Sequence, residues 1–367
     1  MSKIPLVDLQ IQHRQIEEEV HTGFERVLAQ GSFILGAEVE DFEHAFAEFS
    51  RARHCVGVAS GTDALELALR AAGVGRDDEV ILPVNTFIAT ALSVARAGAR
   101  PVFVDCDPVH YLIDPERAEA AVTPQTRAIV PVHLYGQMAP MDSLAQLAER
   151  HSLSLIEDAA QAQGATQQGA HVGAWSAAAA TSFYPGKNLG AYGDAGAVLT
   201  SDDAVARDLR RLRNYGSEVK YHHPIQGFNS RLDTLQAVVL RAKLRYLREW
   251  NEQRQAAALR YEALLAELDA VQQPSAAAGN EHVWHLYVVR VPRRDQTLAA
   301  LQDAGVGVGI HYPTPLHLAG AFEDQGHTRG EFPVAERACD EILSLPIFPG
   351  IEAKQQERVA KLLRQHL

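Results

Sequence analysis

Only three cysteines occur in the 367 residues, Cys55, Cys106 and Cys339. None forms a CxxC pair, which argues against a disulfide framework and a metal knuckle. The basic side chains are outnumbered, 34 Lys and Arg against 46 Asp and Glu, for a formal charge of -12. General nucleic-acid binding needs a basic footprint, and this balance disfavours it. A local site can still oppose the global sign and take a small anion. No apolar run approaches the roughly 20 residues that a membrane span requires. The opening stretch, MSKIPLVDLQIQ, lacks the apolar core of a signal peptide. The expectation is a cytoplasmic protein with reduced thiols and no membrane partner.

What remains is an ordinary globular composition, 47% hydrophobic and 22% charged. The length suggests one large and one smaller domain. From about residue 55 short apolar runs alternate with helical segments. The runs are 55–59, 80–82, 101–104, 128–132 and 154–156, with further ones at 178–183 and 195–200; the helical segments include 63–72, 89–97 and 141–150. That alternation predicts right-handed βαβ units, a mostly parallel sheet and helices on both faces. A long helical pattern covers 232–268, and a smaller α+β region follows it. We divide the chain at residues 1–250, a large domain with a helical N-terminal segment, and 251–367, a small C-terminal domain.

Ligands of open parallel sheets bind beyond the carboxyl ends of the strands. Three polar stretches fall there. Ser60-Gly61-Thr62-Asp63 precedes a helix whose free amides would attract an anion, or whose first residues simply cap it. Glu157-Asp158-Ala-Ala-Gln161 ends a strand with a carboxylate able to hold a protonated ring nitrogen, or again a cap. Lys187 follows a third strand, in Ser182-Phe-Tyr-Pro-Gly-Lys187, within a glycine-framed loop. Free lysine is unprotonated only about once in 2,500 at pH 7, so a nucleophilic lysine needs desolvation or imine formation. Each stretch alone has a bland explanation. Together they supply the three requirements of pyridoxal phosphate (PLP): an anion site, a carboxylate for the ring nitrogen and a Schiff-base lysine. Phe87 could cover one ring face. His222-His223 and His282/His285 lack a matching Cys, Asp or Glu set, so no metal is expected.

The sequence resembles the DegT/DnrJ/EryC1/StrS family of PLP-dependent sugar aminotransferases, of fold type I, nearly end to end. The stretches that carry it are Gly31-Ser-Phe-Ile-Leu-Gly36, Ser60-Gly-Thr-Asp63, Asn85-Thr-Phe87, His133-Leu-Tyr-Gly136, Glu157-Asp-Ala-Ala-Gln161, Ser182-Phe-Tyr-Pro-Gly-Lys-Asn188, Gly227-Phe-Asn-Ser-Arg231 and His311-Tyr-Pro-Thr-Pro315. The resemblance implies that Lys187 binds the cofactor covalently and shuttles a proton. It implies Asp158 at the pyridine nitrogen, Gln161 near the ring hydroxyl and Phe87 stacked on the ring. Gly61, Thr62 and Ser182 would hold the phosphate, with Asn229 reaching in from the second subunit of a homodimer. Related dehydratases carry histidine at the lysine position, so Lys187 implies amino transfer. The family commonly has Gly-Asp-Gly-Gly after the lysine, where this chain has Gly193-Asp-Ala195-Gly196; a left-handed backbone at Ala195 would be strained.

The implied reaction moves an amino group from L-glutamate to a nucleotide-linked keto sugar in amino-sugar biosynthesis. The pattern is closest to members acting on the C3 keto group of a dTDP-3-keto-6-deoxyhexose. Rival substrates are UDP-linked 3-keto uronates, 4-keto sugars and keto-cyclitols; a PLP-binding regulator is the non-enzymatic alternative. Tyr184, Tyr215, Tyr221, His311, Tyr312 and His317 are candidates for the sugar and nucleotide pocket. Arg231 is a candidate for a carboxylate, or for an ion pair with Asp233.

Overall fold

A computed structural model describes residues 3–367. Two helices lead, α1 (Leu9–Gln30) and α2 (Ala37–Phe49). The alternating region then runs β1 (His54–Val58), α3 (Gly61–Ala71), β2 (Glu79–Pro83), α4 (Ile88–Ala97), β3 (Arg100–Val104), α5 (Pro115–Ala120), β4 (Thr126–Ile129), α6 (Met141–His151) and β5 (Ser154–Asp158). A short hairpin, β6 (Thr166–Gln167) and β7 (Ala170–His171), precedes β8 (Ala178–Ser182) and β9 (Gly196–Thr200). There follow α7 (Asp203–Leu212), α8 (Thr234–Leu244), α9 (Leu247–Leu265), β10 (Asn280–Glu281), β11 (Tyr287–Arg290), α10 (Arg294–Asp303), α11 (Pro333–Glu341), β12 (Ile342–Leu345) and α12 (Ala353–His366).

Seven strands form the central sheet in the order β1-β9-β8-β5-β4-β2-β3. All neighbours from β8 to β3 are parallel, and β9 runs antiparallel between β8 and β1. The mainly parallel α/β sheet is therefore as the alternation predicts. Its central strands are buried on both faces; β2 and β9 are buried at every residue. That is why they read in sequence as continuous apolar runs rather than as alternations. Because β9 reverses direction, the carboxyl ends of β1 and β8 and the start of β9 share one edge with the carboxyl ends of β2, β4 and β5. That edge carries the site.

The helical pattern at 232–268 is two helices, broken at Arg245–Tyr246. Helix α8 packs on α1 and α2, whereas α9 packs on α12. A separate hydrophobic core gathers residues of α9, β11, β12 and α12, including Tyr261, Val289, Leu343 and Leu363. Ile4 joins it from far away in sequence. The Ile4 amide donates to the Gly305 carbonyl at 2.9 Å, the Gly307 amide to the Ile4 carbonyl at 2.7 Å, and the Ile347 amide to the Leu6 carbonyl at 3.3 Å. Ala195 stays out of the left-handed region, so alanine costs no strain there. No helix among the described residues is long and apolar enough to cross a membrane.

Candidate active site

A cavity of about 490 Å³ opens at the shared strand edge. Each wall comes from a strand end or a helix start. Helix α3 begins at Gly61, with the Ser60 hydroxyl accepting from the Asp63 amide at 3.1 Å. The first amides, of Gly61 and Thr62, are then free of intrahelical partners and line the cavity. Ser182, ending β8, lies against them. A Cβ on Gly61 would stand 2.4 Å from Ser182 Cβ, so glycine is required for this close approach. The result is a small cradle of amides and hydroxyls at the positive end of a helix, suited to a phosphate.

Asp158 ends β5 on the opposite wall. Its Oδ2 accepts from Thr90 Oγ1 at 2.7 Å and its Oδ1 from the Ala160 amide at 3.2 Å. One turn on, Gln161 is buried and held at both ends. Its Oε1 accepts from the Tyr135 amide at 2.6 Å, and its Nε2 donates to the Tyr312 hydroxyl at 3.1 Å. Tyr135 adopts a left-handed φ of 63° to present that amide, and its own hydroxyl donates to the His311 carbonyl at 2.5 Å. Gly136 follows with φ 114°; a Cβ there would lie 2.8 Å from the His285 amide nitrogen. This close approach lays the 283–286 segment along the cavity.

Lys187 projects from the loop after β8. Desolvation in the cavity lowers its ammonium from 10.5 to about 8, with nearby Asp158 opposing the shift. Among the described residues its Nζ makes no hydrogen bond or ion pair. The next residue anchors the loop: Asn188 Nδ2 donates to Asn251 Oδ1 and to the Val283 carbonyl, each at 2.9 Å. Asn188 Oδ1 is thereby left to accept from His285 Nδ1 at 3.3 Å. Burial, with Lys187 second, holds His285 well below the usual imidazole range. Burial likewise lowers His311 to about 4, and its Nδ1 contacts Ser344 Oγ at 2.8 Å. Both imidazoles are neutral at pH 7. Burial, followed by Asp158, raises the Tyr312 hydroxyl, so it stays protonated. Phe87 is half exposed at the mouth, its ring 5.2 Å from that of Tyr312.

Of the residues expected from sequence, Gly61, Thr62, Phe87, Asp158, Gln161, Ser182, Tyr184, Lys187, His311 and Tyr312 line this one cavity. Asn229, Tyr215, Tyr221 and Arg231 do not. Asn229 is exposed, and Tyr221 is 83% exposed. Arg231 lies 5.3 Å from the Tyr215 ring and donates to Asn214 Oδ1 at 3.1 Å; the ion pair with Asp233 is not formed. His317 also lies outside. It is buried against Glu336, 3.0 Å from Oε1, and packs on Phe332, so its ring has no access to the cavity. Sequence reasoning did not single out Thr90, Tyr135, Leu6 or Val7, all at or beside the cavity, and weighed His285 only as a metal ligand. No cluster of His, Cys, Asp and Glu among the described residues could hold a metal.

A family model described as the DegT/DnrJ/EryC1/StrS aminotransferase family matches residues 14–364. The chain is 49% identical over 361 residues to the erythromycin biosynthesis sensory transduction protein EryC1 of Saccharopolyspora erythraea, covering 98% of this chain and 99% of that protein. It is 47% identical over 363 residues to the dTDP-3-amino-3,4,6-trideoxy-alpha-D-glucose transaminase of Streptomyces venezuelae, covering 99% and 96%. The crystal structure of S. venezuelae DesV in complex with a ketimine intermediate superposes with a TM-score of 0.97 at 46% identity, over 100% of this chain and 98% of that one. Aminotransferases of this family depend on PLP. The cavity fits that cofactor: an amide cradle that a Cβ at Gly61 would fill, a carboxylate oriented by two donors, and an unpaired, desolvated amine. The chain belongs to the DegT/DnrJ/EryC1/StrS aminotransferase family.

Proposed function

We propose that this aminotransferase moves an amino group from L-glutamate to the C3 keto group of a dTDP-3-keto-6-deoxyhexose, as a cytoplasmic homodimer with shared active sites. The observation that carries amino transfer is Lys187, an amine lowered to about 8 inside the cavity that contains Asp158. The lowered value makes the neutral amine far commoner at pH 7 than the roughly one in 2,500 of free lysine. Bound PLP supplies an electrophilic carbon and an electron-accepting ring. With the cofactor bound, Lys187 Nζ would be the group that holds it covalently, and when free would carry the proton to and from the substrate carbon. Asp158 would hold the ring nitrogen and Gln161 the ring hydroxyl, and Phe87 would cover one face. Gly61, Thr62 and Ser182 would take the phosphate. Tyr184, His311 and Tyr312 border the space left for the sugar. We assign residues 1–250 to the cofactor domain and 251–367 to the small domain.

The dTDP carrier and amination at C3 rest on likeness to the S. venezuelae transaminase, whose named product is a 3-amino-3,4,6-trideoxy sugar. Charge supports the dimer. The cavity of one chain contains one ammonium, Lys187, and no guanidinium, whereas glutamate and a nucleotide diphosphate are multiply anionic. The segment carrying Tyr215, Tyr221, Asn229 and Arg231 is exposed, with Val219 at 66%. Reaching into a second subunit, it would bring Asn229 to the phosphate and Arg231 to a carboxylate. A regulatory role is the second reading, favoured by the sensory-transduction name of the S. erythraea relative. One titration separates them. Protein reconstituted with PLP is followed by visible absorbance while L-glutamate and then dTDP-3-keto-6-deoxyglucose are added. Loss of the lysine-bound cofactor band with glutamate and its return with the sugar is expected. Loss without return overturns the substrate, and indifference to every amino donor favours the regulator.

A further inference from the structure

The Asp158 carboxylate is held from two directions. An ionised carboxylate only accepts hydrogen bonds, so the 2.7 Å contact with Thr90 Oγ1 uses Thr90's single hydroxyl proton. Thr90 Oγ1 also lies 2.8 Å from Thr86 Oγ1. With its own proton committed, Thr90 must accept there. The direction of the chain is therefore fixed: Thr86 donates to Thr90, and Thr90 donates to Asp158. Both threonines are buried, at 2% and 1% exposure. Thr90 lies in the first turn of α4, and Thr86 precedes the helix, just ahead of its N-cap Phe87. From the other side the Ala160 amide holds Oδ1. Rotating the carboxylate about its Cβ–Cγ bond breaks one of these bonds.

We propose that Thr90, backed by Thr86, is a positioning residue that aims the Asp158 carboxylate at the cofactor's ring nitrogen. A hydroxyl suits this task because it is a neutral donor. An arginine or lysine in its place would orient the carboxylate but also compensate its charge, and that charge is what keeps a ring nitrogen protonated. Among the described residues Asp158 has no ion pair. Donors in series polarise one another, so Thr86 strengthens the bond that Thr90 makes.

The inference rests on the assignment of Asp158 to the ring nitrogen, so Asp158→Asn is measured beside the threonine variants. The readouts are the PLP dissociation constant by equilibrium dialysis, the pH titration of the visible band, and the single-turnover rate with glutamate. Thr90→Val is expected to weaken PLP roughly tenfold, displace the band's titration and slow the half-reaction roughly 10- to 100-fold, the range for a charged group that loses one partner. Thr90→Ser is expected to restore all three to within about threefold, and Thr86→Val to give an intermediate loss of about threefold. Wild-type affinity and band in Thr90→Val, with Asp158→Asn impaired, would overturn the inference alone. Thr90→Ser as impaired as Thr90→Val would overturn it too, by showing that the methyl group matters. An unaffected Asp158→Asn would sink the Asp158 assignment beneath it. Thermal unfolding of the apoprotein checks that Thr90→Val folds. If it does not, Thr86→Val decides, because it keeps the Thr90–Asp158 bond; an unchanged band and affinity there overturns the proposal.

Discussion

Without cofactor, Lys187 is a liability to the fold, and its size can be worked out. Its folded value is about 8 against an ordinary 10.5. The difference of about 2.5 units corresponds at most to about 3.4 kcal/mol. The residue keeps some contact with water, which screens the charge, so roughly 1–2 kcal/mol is the better figure. The sign follows from proton binding. Between pH 8 and 10.5 the unfolded chain keeps a proton that the folded chain has lost, so Lys187 makes stability rise with pH across that window. Below pH 8 both states are protonated and the full penalty stands. Lys187→Met removes it. The cofactor-free variant is expected to be more stable than wild type by about 1–2 kcal/mol at pH 7, and the gap to narrow by about 1 kcal/mol by pH 9.5. Burial also lowers Lys243 to about 8 and Arg254 to about 9, but both occur in both proteins and cancel. Urea unfolding of the two apoproteins at several pH values measures the gap. A gap that stays flat from pH 7 to 9.5, or a wild type more stable throughout, would refute the desolvation of Lys187.

Three other changes test separate parts of the structure. Lys187→Ala should abolish turnover while leaving the far-ultraviolet circular dichroism unchanged; retained activity would remove Lys187 from the reaction. Gly61→Ala should weaken PLP binding, measured by dialysis, roughly 10- to 100-fold, because the added methyl would overlap Ser182 and overpacking costs about 1–3 kcal/mol. Arg213→Met should destabilise the protein by about 3–5 kcal/mol in urea unfolding, because it strands Glu43. Glu43 pairs with Arg213 Nη1 and accepts from the Gly57 amide at 2.7 Å, and Arg213 Nη1 also donates to the Gly57 carbonyl at 2.8 Å.

The central sheet was legible because strands buried on both faces announce themselves as apolar runs bounded by helical periodicity. The two-residue strands β6, β7 and β10 carry no such signal; β6 and β7 pair as a local hairpin, and β10 joins β6 from far along the chain. The break between α8 and α9 was hidden because Leu244-Arg-Tyr-Leu247 suits a helix locally, and different packing partners impose the turn. Lys187 and Asp158 were legible because their chemistry is unusual at strand ends. Thr90 was not, because a threonine inside a helix is unremarkable until its partner, 68 residues away, is placed beside it. Tyr135 lies in a stretch that carries the family resemblance, yet the use of its amide depends on a left-handed backbone that no spacing reveals.

Leu6 and Val7 line the cavity, and their segment is fastened through Ile4 to Gly305 and Gly307 and through Leu6 to Ile347. The wall is thus built from segments some 300 positions apart, and the ribosome delivers them in that order. While the sheet is being made, residues 4–7 have no surface to dock on, so the pocket stays open on that side. The full set of bonds that holds this side is available only once residue 347 has been made, which places the enclosure of the chamber late in synthesis. A nascent chain halted before that point would hold Lys187 and Asp158 but not the enclosure that dries them.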